Sequence, residues 1–75
     1  MTVRNITMDD ICQAAKVDDI DAAIAPLQDK AGITDGGVAA VAFSGLDWDT
    51  ARINTRVVWI VRWVKLEQAY EEMQP

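Results

Sequence analysis

Carboxylates are the commonest reactive side chains in this chain, and two groups of them are close enough in sequence to act together. Asp18, Asp19 and Asp21 form one group, and Asp47 and Asp49 the other. Such pairs can serve as general acid and base, but that work also needs an enclosed pocket, which 75 residues can hardly build. Neither group runs on into the glycine and final glutamate of an EF-hand loop, which argues against calcium. Cys12, the single cysteine, falls on the apolar side of the first predicted helix, and the chain has no histidine to activate it. It is therefore expected in the core. Ser44, the only serine, stands just before a predicted helix stop and suits a helix end. No catalytic constellation can be assembled and the usual zinc ligand sets are missing, so neither an enzyme nor a cofactor is expected.

The elements that position these residues are helical by pattern. Thr7 with Asp10 forms a capping-box start for a first helix from about Met8 to Lys16, with Met8, Ile11, Cys12 and Ala15 on one face. Asp18 can cap a second helix carrying Ile20, Ala23, Ile24 and Leu27, which Pro26 should kink or split. Gly32 is placed for a left-handed stop, and Ile33 can fold back onto Leu27. Thr34 then caps a short third helix with Val38, Val41 and Ala42 as its buried face and Gly45 as its stop. The last helix starts at Asp47 or Asp49 and runs to about Met73. The reading is one all-α domain over 1–75, with three short helices and one long C-terminal helix. The alternative is an α+β chain with strands at 38–43 and 56–64, because Val57 to Val61 is rich in β-branched and aromatic residues.

Charge is divided between the two parts of the chain. The net charge is −5; Met1 to Asp49 carries nine acids and three bases, whereas Thr50 to Pro75 carries three acids and four bases. Ile6 to Val17, ITMDDICQAAKV, resembles the first helix of a helix-turn-helix DNA-binding unit, which implies a nucleic-acid-binding regulator whose next helix enters the major groove. That next helix opens with Asp18, Asp19 and Asp21 and has no base before Lys30, a surface that repels phosphates. The same three aspartates could instead form an acidic surface for a partner protein. Their bland role is to cap a helix and complement its dipole.

The last helix is the most informative element. Ile53, Val57, Ile60 and Val64 make one stripe, while Arg52, Arg56, Trp59, Trp63, Leu66 and Tyr70 make another roughly 100° away. Eleven of the apolar residues are alanine, so the bulky residues needed to cover both stripes within one copy are scarce. The aromatic and arginine stripe is therefore the expected interface, because those residue types dominate binding hot spots. A helix from Asp49 to Met73 would span about 38 Å and overhang a compact domain of about 29 Å, which points to a homodimer through this helix. No bilayer-spanning segment is present, since Val57 to Val64 is short and Arg62 interrupts it. The lack of a signal peptide and the free thiol lead to an expected cytoplasmic location. The expectation is a small acidic interaction protein, an adaptor or inhibitor, that forms homodimers and binds another protein. A nucleic-acid-binding regulator comes second and a small enzyme third.

Overall fold

The computed structural model describes residues 5–73, and among them every regular element is a helix. The four are α1 (Met8–Ala15), α2 (Ile20–Ala31), α3 (Gly37–Ala42) and α4 (Ile53–Met73). α4 packs against α1 and α3, and α2 rests on α1. The strand alternative for 38–43 and 56–64 is not taken up: the first segment is helical up to the cap at Phe43, and the second lies within α4, which runs unbroken through the β-branched stretch.

Local chemistry sets most of the boundaries. The Thr7 hydroxyl accepts from Asp10 N, and the Asp10 carboxylate accepts from Thr7 N, so two otherwise free amides at the start of α1 are satisfied reciprocally. Asp10 also pairs with Lys30 at 2.7 Å, which ties α1 to the end of α2 and holds the Asp10 carboxyl down at about 2. α2 is capped by Asp19, whose side chain accepts from Ala22 N, one residue later than the expected Asp18. Pro26 does not split α2, which is continuous through it. Gly32, at φ 71°, supplies the left-handed stop, and Ile33 N donates to Gln28 O at 2.8 Å. A side chain at this φ would be strained, so the glycine is required.

α3 departs from expectation. Thr34 does not cap it: the N-cap is Gly36, with no side-chain cap, and the Asp35 carboxylate accepts from Gly37 N in the turn that leads into the helix. Its buried residues are Ala39 and the capping Phe43, whereas Val41 is 74% exposed. The helix is rolled so that Ala39 and Phe43, one turn apart, face inward, and Val41 turns to solvent. α4 begins at Ile53 rather than at Asp47 or Asp49. The intervening turn tucks Trp48 into the core, where its indole Nε1 donates to Val17 O at 2.9 Å.

The core is a mixture of few bulky groups and many small ones. Ile11, Leu27, Phe43, Trp48, Ile60 and Trp63 provide the volume, and Ala15, Ala23 and Ala31 are almost fully buried where helices meet. The molecule measures 38 × 23 × 17 Å. At 21 residues α4 is about 32 Å long, shorter than the span expected for a helix starting at Asp49, because it begins four residues later, at Ile53.

Candidate functional site

The six residues of the expected interface meet different fates. Arg52 is exposed, Leu66 and Tyr70 are about half exposed, and Trp59 is partly buried. Trp63 is fully buried in the chain's own core, with its ring 5.9 Å from Phe43. Arg56 is turned inward. The reason is geometric: α4 rests on the edge between its two stripes, so the line Arg56, Ile60, Trp63, Glu67 forms the centre of the buried face. That line has the four-three-four spacing of a helix, but two of its members are charged, and a search for apolar stripes passes over it. Cys12, expected to be buried, is only partly covered.

At the start of this line the charge is fully occupied. Arg56 Nε and Nη2 donate to Trp48 O at 3.0 and 2.7 Å, and Nη1 donates to Ala15 O at 3.0 Å. Its guanidinium also lies 4.6 Å from the centre of the Trp48 ring. Ala15 is the last residue of α1, which has no base of its own in that turn, so an arginine from α4 serves the negative end of the α1 dipole.

At the other end no described residue pairs with the charge. Glu67 is 2% exposed and has no hydrogen bond or ion pair among the described residues. Burial first, and then the negative charge of Asp35, raise its pKa above the ordinary glutamate value. One turn earlier, Trp63 Nε1 is buried without an acceptor among the described residues. Glu67 lines a cleft of about 290 Å³ whose other walls are Gly32, Ile33, Thr34, Asp35, Val38 and Tyr70.

Beside this cleft lies a groove of about 520 Å³ between α3 and the last turns of α4. Val41, Leu66, Tyr70 and Met73 line it, and they are exposed by 74, 49, 46 and 80%. Asp35, Val38 and Tyr70 are common to both cavities, so the apolar groove and the glutamate cleft form one continuous surface. Only Leu66 and Tyr70 of this surface were marked by the sequence. Val41 was assigned to the core, and Glu67 was not singled out.

The structure also gathers the aspartates. Asp19, Asp21, Asp47 and Asp49 surround a cleft of about 630 Å³ floored by Ile24, Phe43 and Trp48. Asp18 does not line it; it precedes the Asp19 cap and is exposed. Among the described residues no three acids, cysteines or histidines come together as a metal-binding group, and no helix is long and apolar enough to cross a membrane. No family model, no curated protein and no solved structure matches this chain.

Proposed function

We propose that this protein is a non-enzymatic interaction module that docks an amphipathic, basic helix of another protein in the groove between α3 and the C-terminal half of α4. The carrying observation is the side-by-side exposure of Val41, Leu66, Tyr70 and Met73. Large apolar side chains exposed together are costly in water, and a continuous patch of them is the usual mark of a binding surface. An amphipathic helix laid in such a groove buries its own apolar face at the same time. The charge of the partner follows from the rim, where Asp35 and Glu67 face no base among the lining residues, and from the net charge of −5. The acidic cleft around Asp19 and Asp47 adds to the field that steers a basic partner inward. A second copy is the weaker occupant, because Trp63 and Arg56 are committed to the chain's own interior and a copy brings a further net charge of −5. The lone free cysteine suits work in a reducing cytoplasm.

Selection of displayed 16-residue helical peptides on the full chain tests the reading. Recovered sequences should carry apolar residues at three-four spacing with lysine or arginine on the flank. They should lose binding at least tenfold to Val41→Asp, whose melting temperature should match the wild type. Peptides that bind Val41→Asp equally well would place docking elsewhere. A wild-type dimer that Val41→Asp converts to monomer in sedimentation would give the groove to a second copy.

A further inference from the structure

A carboxylate that is almost fully buried, and that no described residue neutralises, is a standing cost to the fold unless a group beyond the described residues removes it. Glu67 is that carboxylate. It lines a cleft open to solvent, and Asp35 in the opposite wall makes the local charge more negative still. We propose that this cleft is the receptor for an arginine side chain supplied by the docking partner, an assignment that rests on the adjoining groove being the docking surface.

The shape and chemistry of the cleft select guanidinium over ammonium. Its volume of about 290 Å³ admits one side chain. Glu67 offers two acceptor oxygens on a side chain that is almost fully covered, and a guanidinium presents two parallel N–H groups to a carboxylate. Tyr70 lines the cleft as an aromatic side chain, planar guanidinium stacks on such rings, and it is more weakly hydrated than ammonium, so less is lost on entry. The same molecule already holds a part-buried arginine by ring contact and hydrogen bonds, with Arg56 against the Trp48 ring and its donors on carbonyl oxygens. Because Tyr70 and Asp35 belong to both cavities, a helix lying in the groove can deliver an arginine to Glu67 from its own flank. The apolar contacts supply affinity, and the arginine fixes the direction and register of the partner.

The test uses the full chain, n-butylguanidinium chloride as the charged probe and n-pentanol as the neutral one, with amide and carboxyl signals followed by NMR. Butylguanidinium should shift the signals of Thr34, Asp35 and Glu67 saturably and lower the Glu67 pKa. Glu67→Gln, which is isosteric and removes the uncompensated charge, should stay folded and bind the probe at least tenfold more weakly. Asp35→Asn should weaken it a few-fold. Pentanol should shift Val41, Leu66 and Met73 equally in wild type and Glu67→Gln. If pentanol does so while butylguanidinium leaves Glu67 unmoved, or binds Glu67→Gln as well as wild type, the arginine receptor is overturned and the groove stands. If neither probe shifts its residues, both are overturned. If Arg4→Gln by itself raises the Glu67 pKa of the free protein, the cation comes from the same chain and the partner arginine is overturned.

Discussion

Arg56 and Glu67 are about three turns apart on the same face of α4, and each carries its charge toward the interior. Around Arg56 the chain has arranged carbonyls from two other segments, those of Ala15 at the end of α1 and Trp48 in the turn before α4, together with an aromatic ring. Around Glu67 it has arranged none among the described residues. The two buried tryptophans follow the same division, since Trp48 Nε1 donates to Val17 O while Trp63 Nε1 has no acceptor among the described residues. One end of the helix is thus a finished structural staple. The other holds, among the described residues, an indole N–H without an acceptor and a covered carboxylate without a counter-charge, beside an exposed apolar groove.

The comparison breaks most severely at its midpoint. Trp63→Ala should cost about 3 to 5 kcal/mol, because the ring is fully buried and its neighbours can collapse only partly into the space. Chemical denaturation measures it. A cost below about 1 kcal/mol would return Trp63 to the surface role its stripe suggested. Arg56→Met comes next, at about 2 to 3 kcal/mol, since it keeps the stem but strips charged donors from the Ala15 and Trp48 carbonyls. It should also loosen the end of α1, visible as faster amide exchange at Lys16 and Val17. Equal exchange in variant and wild type would deny the staple.

Glu67→Gln should act in the opposite direction and more gently, raising stability at pH 7 by about 1 kcal/mol. Its pH dependence sharpens the point. The folded pKa of Glu67 lies above the unfolded value, so between the two the native state holds more protons than the unfolded one, and stability falls as pH rises through that window. Wild type should therefore gain melting temperature on acidification from pH 7 toward 4.5, and Glu67→Gln should lack that gain. Asp10 has the reverse sign. Its pKa is lowered from 3.8 to about 2, so its contribution is present above 3.8 and is lost as pH falls toward 2, in both proteins. A wild-type melting temperature that fell steadily from pH 7 downward would show that Glu67 is compensated in the folded state.

What the sequence determined by itself was local. The Thr7 capping box, the aspartate start of α2, the Gly32 stop with Ile33 folded back, and the helical state of α4 all depend on groups within a few residues of each other. Such signals survive without knowledge of neighbours. Which face of a helix points inward was decided only by tertiary packing. Both stripes of α4 were legible, but the helix lies on the edge between them because α1 and α3 flank it from two sides. That rotation drew Trp63 and Arg56 inward and carried Glu67 with them. α3 turned Ala39 and Phe43 inward and so carried Val41 out to solvent. The groove and the buried glutamate exist only through these two rotations, each the result of fitting surfaces whose partners lie far away in the chain.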